Sequence, residues 1–450
     1  MMFDLAIIGG GPAGYVAAER AGAKGLKVLI FDKRALGGVC LNEGCIPTKT
    51  LLNSAKVLEY AHEAANYGVE IGSVSADFGK IMKRKDKVVR KLVAGVGAKM
   101  KHAKAEVVMA EAVIREKRGE VITISADGKD YQATRLLVCS GSEAAVPPIP
   151  GLDPAQIVTN REILQLQTLP KSLVIIGGGV IGTEFADFFN AMGTKVTVIE
   201  MLPEILTGID EEIAAFVRSE FTKRGVDYFL NAKVTKLNGR EVVFEKDGKS
   251  QSVTGEQVLL SVGRRPNVAG LGLENIGVDF TPRGVKIDSH CRTNVLNVYA
   301  AGDITGFSLL AHTASREAEV AVNHILGRKD LMRYDAIPGV VYTHPEIAGV
   351  GLTESAAKAK GLDVVVRKLP LAYAGRFIAE NENKDGFCKV IAGKKYGEIL
   401  GVHIVGGACS EMIWGACALI EAQLRIQDVQ EIVFPHPTVS EIIKETIFQF

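Results

Sequence analysis

The sequence predicts an α/β fold in which two similar doubly wound units precede a smaller α+β domain. The first observation is an internal repeat, because residues 5–32 and 173–200 both read as strand, G-x-G-x-x-G turn, helix, strand and terminal acid. The second is a change from about residue 336, where strands and helices alternate without such a turn. The third is composition, since 450 residues with 47% hydrophobic and 23% charged residues suit several globular domains.

The repeated turns indicate a dinucleotide-binding site in each unit. In such a turn the first glycine permits a tight bend, the second lets amides approach a pyrophosphate, and the third lets the helix pack closely. The helix N-terminus then holds the phosphate, and the acid accepts hydrogen bonds from a ribose. The residues are Gly9, Gly11, Gly14 and Asp32 in the first copy and Gly177, Gly179, Gly182 and Glu200 in the second. A glycine-rich turn without a ligand is the alternative, and the complete context in both copies argues against it.

Two cysteines in GGVCLNEGCIPTK indicate redox chemistry rather than zinc binding, because no second Cys or His pair follows at ligand spacing. On a regular helix the five residues from Cys40 to Cys45 would rise about 7.5 Å. Bridged Cα atoms are usually at most about 7 Å apart. A bridge therefore requires an irregular turn, which Gly44 and Pro47 could provide before the helix that follows. Thiols at a helix N-terminus have lowered pKa values, and Lys49 adds positive charge. Two buried free cysteines are the alternative.

A second candidate constellation lies near the C-terminus, in FPHPTVSE. His436 stands between two prolines that stiffen the chain, and a thiol–disulfide exchange needs a base of this kind. Glu441 could fix the tautomer of that imidazole. Two alternatives stay open. His436 could be a surface-loop histidine, and Thr438 with Glu441 could form a capping box that opens the last helix.

Charge and hydropathy exclude several classes of protein. The 53 basic and 52 acidic residues leave a net charge of +1, which gives no support to a general nucleic-acid or membrane binder. The basic stretch at 80–104 predicts a solvated amphipathic helix, with binding of an acidic partner as a second interpretation. We expect no transmembrane helix, no signal peptide, and a reducing compartment for the seven cysteines, so a cytoplasmic location.

The chain contains, in order, the two glycine motifs with C-x-x-x-x-C after the first, VGRRPN at 262–267, AAGD at 300–303 and HPTVSE. Through these motifs it resembles the class I pyridine nucleotide–disulfide oxidoreductases over essentially its whole length. GGVCLNEGCIPTK and LLAHTASREAE are most similar to members that oxidise dihydrolipoyl groups. The resemblance implies two Rossmann-like domains, one for FAD and one for NAD, and a C-terminal α+β dimerisation domain. The implied boundaries are 1–147 and 269–335 for FAD, 148–268 for NAD, and 336–450 for the interface domain.

The same resemblance implies roles for individual residues. The ADP part of FAD would be bound by Gly9, Gly11, Gly14 and Asp32, and its ribityl–phosphate region by Gly302 and Asp303. NAD would be bound by Gly177, Gly179, Gly182 and Glu200. Two further residues that would contact a cofactor are Gly141 and Gly263. In the redox centre, Cys45 would lie against the flavin and Cys40 would face the dithiol substrate. Lys49 and Glu184 would pair near the flavin. The base would be His436, oriented by Glu441 and supplied by the partner subunit of a homodimer.

The chain departs from the family pattern at three positions. Phe434 stands where many members have a histidine two places before the catalytic one, which should alter the pocket wall. Asp32 stands where Glu is commoner and should still accept from ribose. Ser140 stands where Thr is usual, and its neighbour Cys139 is expected to be a buried bystander.

The resemblance implies NAD-dependent oxidation of a protein-bound dihydrolipoyl group. Its carrier would be the lipoyl domain of a 2-oxo acid dehydrogenase complex or a glycine-cleavage carrier protein. Glu200 would repel the 2′-phosphate of NADP, and the next three residues offer no arginine to bind it. The alternatives are an NAD(P)H-dependent reductase of a glutathione-type disulfide or of mercuric ion, and a non-catalytic dinucleotide-binding redox sensor.

Overall fold

The computed structural model describes residues 2–382 and 384–450, which form two compact units. The first unit comprises residues 2–50, 82–146 and 263–333. The second comprises residues 51–81, 147–262, 334–382 and 384–450. Helices α3 (Cys45–Glu63) and α4 (Phe78–His102) begin in one unit and end in the other.

The first unit is built on a parallel sheet that carries the first glycine turn. Its elements are β1 (Met2–Phe3), β2 (Leu5–Ile8), α1 (Pro12–Gly22), β3 (Val28–Phe31), α2 (Gly38–Glu43), the start of α3 (Cys45–Glu63), most of α4 (Phe78–His102), β4 (Glu106–Val108), β5 (Ala112–Arg118), β6 (Val121–Ala126), β7 (Lys129–Ala133), β8 (Leu136–Val138), β9 (Ser142–Ala144), β17 (Arg264–Pro266), β18 (Phe280–Thr281), β19 (Gly284–Val285), β20 (Val298–Ala300) and α8 (Ala311–Ile325).

The main sheet of this unit has the order β20-β8-β2-β3-β4, with every pair parallel. A second sheet, β1-β7-β6-β5, packs through its apolar face into the same core, which includes Phe3, Phe31 and Ile124. Strand β2 is buried at all four positions, as expected for a parallel strand covered on both faces. The first turn therefore leaves the carboxyl end of a central strand, where open α/β sheets bind ligands.

The second unit repeats this arrangement and adds an antiparallel domain. Its remaining elements are α5 (Asn160–Ile163), β10 (Ser172–Ile176), α6 (Val180–Ala191), β11 (Lys195–Ile199), α7 (Glu211–Lys223), β12 (Asp227–Phe229), β13 (Lys233–Asn238), β14 (Glu241–Lys246), β15 (Lys249–Thr254), β16 (Gln257–Leu260), β21 (Gly339–Val341), β22 (Glu346–Gly351), α9 (Glu354–Ala359), β23 (Val364–Pro370), α10 (Gly375–Glu380), β24 (Phe387–Gly393), β25 (Ile399–Gly406), α11 (Cys409–Glu421), α12 (Ile426–Gln430) and α13 (Glu441–Ile447).

The four-stranded sheet β12-β11-β10-β16 is parallel and carries the second glycine turn after β10. The C-terminal sheet, β21-β22-β25-β24-β23, is antiparallel, and α11 and α13 cover it. Its core includes Val390, Val402 and Ile442, all with no exposed surface. The predicted two-unit α/β architecture with a C-terminal α+β domain is confirmed.

Predictions for individual helices and strands can also be compared with the structure. The basic stretch at 80–104 forms α4, two residues earlier than expected at each end, and the helix predicted near 410–424 is α11. Strand β20 runs into Gly302 and Asp303, as the AAGD segment indicated. Among residues 2–382 and 384–450, no helix is both long and apolar enough to cross a bilayer.

Candidate active site and nucleotide-binding turns

In the first glycine turn, Gly9 and Gly14 are in close contact with the surrounding backbone, whereas Gly11 faces open space. Gly9 has φ +108°, and a Cβ there would lie 2.1 Å from the Cys139 carbonyl oxygen. A Cβ on Gly14 would lie 1.8 Å from the Gly9 carbonyl oxygen, so the helix packs directly on the turn. A Cβ on Gly11, by contrast, would meet nothing nearer than 3.8 Å. The turn therefore leaves space beside the N-terminus of α1, where a pyrophosphate would bind.

The second turn repeats these relations. Gly177 has φ +102°, and its Cβ would lie 2.3 Å from the Ser261 carbonyl oxygen. A Cβ on Gly182 would lie 2.2 Å from the Gly177 carbonyl oxygen, whereas one on Gly179 would have nothing within 4 Å. Both turns thus pack closely at their first and third glycines and leave open space at the second, an open cradle that fits one dinucleotide in each turn.

Each terminal acid ties its turn to the following strand. Asp32 accepts from the Gly10 N–H at 2.8 Å, and its other oxygen accepts from two further backbone N–H groups. Glu200 accepts from the Gly178 N–H at 2.7 Å and from the Leu202 N–H at 2.8 Å. Every carboxylate oxygen can accept more than one hydrogen bond, so both acids can also serve a ribose hydroxyl.

Asp303, a predicted cofactor position, belongs to a polar chain that the sequence analysis missed. The Ser142 hydroxyl donates to its carboxylate at 2.5 Å, and Arg264 Nε donates to that hydroxyl at 2.8 Å. Burial raises the pKa of Asp303. The adjacent Gly302 N–H donates at 2.6 Å to Glu317, which has no exposed surface. Arginine in VGRRPN and glutamate in LLAHTASREAE were the available signals, but only the fold brings them here.

The segment CSGSE closes the first turn from behind. The Ser140 hydroxyl donates to the Asn267 carbonyl at 2.9 Å, so it has a structural partner at the position where the resemblance implies a threonine. Cys139 is buried, and that burial raises the pKa of its thiol, which fits the inert role expected for it. Gly141 and Gly263 both take positive φ values, 71° and 109°, with open space at the Cβ position.

Cys40 and Cys45 meet across a break between two helices. Cys40 lies in α2, Cys45 begins α3, and Gly44 between them has the non-helical angles φ −149° and ψ −108°. The two side chains are hydrogen-bonded to each other, so the irregular turn predicted at Gly44 is present. This contact, followed by burial, raises the pKa of Cys40, while Lys49 opposes the shift. The pKa of the Cys40 thiol is therefore raised rather than lowered while Cys45 is its hydrogen-bond partner.

Lys49 and Glu184 fall in different units. Lys49 is the fifth residue of α3, four residues after Cys45. Glu184 is on α6, only 3% exposed, and accepts from the Tyr342 N–H at 3.1 Å. Their pairing stays a prediction.

Glu184 lies one helical turn from an ionic cluster in the second unit. Asp187, on the same face of α6, accepts from the His344 N–H at 2.8 Å and pairs with Arg224. Arg224 also pairs with Glu59 at 2.8 Å. Burial, reinforced by the Asp187 charge, raises the pKa of Glu59 to about 7. The two carboxylates of α6 thus hold the backbone of 342–344, and only one of them was singled out from the sequence.

His436 and Glu441 form the predicted pair. His436 Nδ1 lies 2.9 and 3.1 Å from the two carboxylate oxygens, and the ring side chain is 76% exposed. Glu441 also accepts from the Thr438 N–H at 2.9 Å, and this bond, with the imidazole, lowers the pKa of the carboxylate. The capping box is wrong in one respect: α13 begins at Glu441, and the Thr438 hydroxyl donates to the Pro435 carbonyl instead. Phe434 is half-buried against the C-terminal core.

Comparison with known proteins gives two family matches that together span most of the chain. Residues 3–318 match the family described as pyridine nucleotide-disulphide oxidoreductase. Residues 337–447 match the dimerisation domain of that family. The first match contains both glycine turns and the cysteine pair, and the second contains His436 and Glu441.

Two relatives and two solved structures illustrate the similarity. A dihydrolipoyl dehydrogenase of Mycoplasma pneumoniae is 38% identical over 452 residues, covering 99% of this chain and 98% of its own. One of Geobacillus stearothermophilus is 39% identical, with 98% and 95% covered. The structure of LpdA from Mycobacterium tuberculosis superposes with TM-score 0.91 at 27% identity, with 99% of both chains covered. The HOCl-induced flavoprotein disulfide reductase RclA from Escherichia coli gives 0.86 at 27% identity, again with 99% of both chains covered.

Proposed function

The chain belongs to the pyridine nucleotide-disulphide oxidoreductase family, and on that premise we propose that it oxidises protein-bound dihydrolipoyl groups to lipoyl groups with NAD as acceptor. The observation that carries this proposal is the contact between Cys40 and Cys45 across the Gly44 break. Full-length relatives that are dihydrolipoyl dehydrogenases support the choice of substrate.

The reaction proposed for the cysteines is a thiol–disulfide exchange starting from a Cys40–Cys45 disulfide. One substrate thiolate attacks the Cys40 sulfur, a mixed disulfide forms, and the Cys45 sulfur leaves as a thiolate. The second substrate thiolate then attacks the substrate sulfur of the mixed disulfide and releases Cys40. The substrate has lost two electrons and two protons and is now a disulfide, and the cysteine pair has gained the two electrons.

His436 is the base proposed for the substrate thiols. Its Nδ1 faces Glu441, which leaves Nε2 to take the proton. The carboxylate fixes the tautomer and stabilises the imidazolium that forms. Because residues 337–447 match a dimerisation domain, we place the chain in a homodimer, in which His436 serves the cysteine pair of the second subunit.

The open cradles at Gly11 and Gly179 support FAD in the first turn and a pyridine nucleotide in the second. FAD, when bound, supplies the two-electron chemistry that connects the cysteine pair to the nucleotide. NAD rather than NADP is favoured by Glu200, whose charge opposes a 2′-phosphate. The nearest arginine along the chain, Arg218, is held by Glu204 through bonds of 2.8, 3.1 and 2.9 Å.

The proposed partner is the lipoyl domain of a 2-oxo acid dehydrogenase complex or a glycine-cleavage carrier protein, and the proposed location is the cytoplasm. The relatives named dihydrolipoyl dehydrogenase support the class of carrier. Which of the two carriers is used would follow from activity with each purified lipoyl protein.

Replacement of Cys40 tests the assignment of roles. We expect Cys40→Ser to abolish oxidation of dihydrolipoamide while the protein keeps its FAD, since Cys40 is the sulfur that the substrate attacks. Steady-state turnover and the flavin content of the purified variant measure the two properties. Cys417→Ser, a half-buried cysteine in α11, is the matched control and should keep full activity. Normal turnover by Cys40→Ser, or loss of FAD from it, would contradict the proposal.

A further inference from the structure

Helix α4 presents a row of cations that the proposed reaction does not use. The row consists of five exposed residues, which we call the α4 basic face: Lys83, Lys87, Arg90, Lys91 and Lys101. At about 100° of rotation per residue they fall within an arc of about 100°. Along the axis they extend over about 27 Å. Such an area matches the docking surface of a small protein domain better than that of a single anion.

In the described part of the chain, these cations have no carboxylate as an ion-pair partner. Asp86 is the single acid in α4, and it pairs at 2.9 Å with Lys85, which is almost fully buried. The charge of the face is therefore available to a partner.

The row also costs helix stability, because like charges at i and i+4 repel each other. Lys83, Lys87 and Lys91 form two successive pairs of this kind. Other helices of the chain use the opposite arrangement, as in the Lys358–Glu354 pair of α9 at 2.7 Å. A repulsive row in a chain of net charge +1 is thus a local feature and does not reflect a generally basic composition.

The α4 basic face begins next to the redox helix. Arg84, which follows Lys83, donates from Nη1 to the Thr50 carbonyl at 3.0 Å. Thr50 in turn donates to the Ile46 carbonyl at 2.8 Å, one residue from Cys45. Since five residues of helix rise about 7.5 Å, Arg84, which adjoins the face in sequence, is anchored little more than one helical turn along α3 from Cys45.

We propose that the α4 basic face docks the acidic surface of the carrier domain that bears the dihydrolipoyl group. This inference rests on the proposed function and adds the recognition of its partner. A domain held on this face would present its flexible dithiol arm close to the cysteine pair. Long-range attraction would raise the association rate, and free dihydrolipoamide, which has no acidic domain, would gain nothing.

The test compares two substrates with the FAD-loaded protein: a strongly acidic lipoylated carrier domain in its reduced form, and free dihydrolipoamide. We expect kcat/KM for the carrier to fall about tenfold or more between about 25 and about 300 mM NaCl, and that for dihydrolipoamide to change less than about twofold. In the triple variant Lys83→Glu, Lys87→Glu, Lys91→Glu, KM for the carrier should rise about tenfold or more, with kcat and dihydrolipoamide turnover unchanged.

A matched control reverses three exposed lysines of the same unit that are not on α4, namely Lys24→Glu, Lys129→Glu and Lys286→Glu. It changes the net charge equally and should leave KM for the carrier within about twofold of the unsubstituted protein. Equal effects of the two triple variants, or carrier kinetics insensitive to salt and to the α4 variant, would overturn the docking proposal. Binding of anionic vesicles that depends on α4, without an effect on the carrier, would also overturn it. Failure of the proposed function would appear separately, as absent turnover of free dihydrolipoamide.

Discussion

At the scale of single residues, Glu441 combines two roles that looked like alternatives in the sequence. One carboxylate contacts the His436 ring and also accepts from the Thr438 N–H. It can do so because it has two oxygens and stands at the first residue of α13, where both partners are within reach. The position of the base is therefore fixed by the same carboxylate that orders the turn before the last helix.

Glu441→Gln separates the two roles. The amide oxygen can still accept from the Thr438 N–H, so we expect the thermal midpoint to change little. The amide cannot stabilise an imidazolium, and kcat should fall about tenfold to a hundredfold, less than the 10²- to 10⁴-fold loss expected for removal of a general base in His436→Gln. Steady-state kinetics and thermal denaturation of both variants measure this. Full activity in Glu441→Gln would remove the orienting role.

At the scale of elements, one face of helix α6 holds the segment between β21 and β22 within the second unit. Glu184 and Asp187 are one turn apart, and they accept the N–H groups of Tyr342 and His344. Asp187 has 5% of its side chain exposed and depends on Arg224 for its counter-charge. Ionic clusters of this kind tolerate loss of one member poorly, because the remaining charge stays buried.

Arg224→Met should therefore destabilise the protein by about 3–5 kcal/mol, since it removes the cation that pairs with both Asp187 and Glu59. The control is Arg218→Met, which removes an arginine from an ion pair that is 31% and 23% exposed. That pair should be worth only about 0–1 kcal/mol. Urea denaturation followed by circular dichroism measures the difference. Equal losses in the two variants would show that the buried cluster has no special weight.

His344, in the same cluster, predicts a dependence of stability on acid. Burial, together with Lys384 at 2.8 Å from its Nε2, lowers the pKa of His344 to about 3. The folded protein then keeps this ring neutral where the unfolded chain protonates it. Its contribution is fully present above about pH 6.5 and is lost as the pH falls toward about 3.

When the pH falls from about 6.5 to about 4.5, the unsubstituted protein should lose about 2 kcal/mol more stability than His344→Gln. Glutamine keeps an acceptor for Lys384 but has no proton to bind. Denaturant titrations at the two pH values give the comparison. A variant with the same pH dependence as the unsubstituted protein would show that His344 does not cause it.

At the scale of the whole molecule, the sequence predicts those features that depend on local pattern. The repeat around Gly9 and Gly177 specifies strand, turn and helix within about 30 residues, so both nucleotide turns could be placed from spacing alone. The break at Gly44 was predictable for the same reason, because a disulfide is incompatible with a regular helix there.

Features that join distant segments were not predictable in this way. The chain from Arg264 through Ser142 to Asp303 connects residues up to 161 positions apart. Asp187 looked like any polar residue of α6 until the fold placed Arg224 and His344 against it. The register of tertiary contacts determines such partners, and a single sequence contains no periodic signal for them.

The measurement that tests the central claim most directly is an anaerobic assay of the purified FAD-loaded protein with dihydrolipoamide, using NAD and NADP in parallel. We predict rapid formation of NADH and a kcat/KM for NAD at least about a hundredfold above that for NADP, because Glu200 opposes the additional phosphate. No reaction with dihydrolipoamide, together with oxidation of NADPH by glutathione disulfide, would contradict both the proposed substrate and the proposed nucleotide.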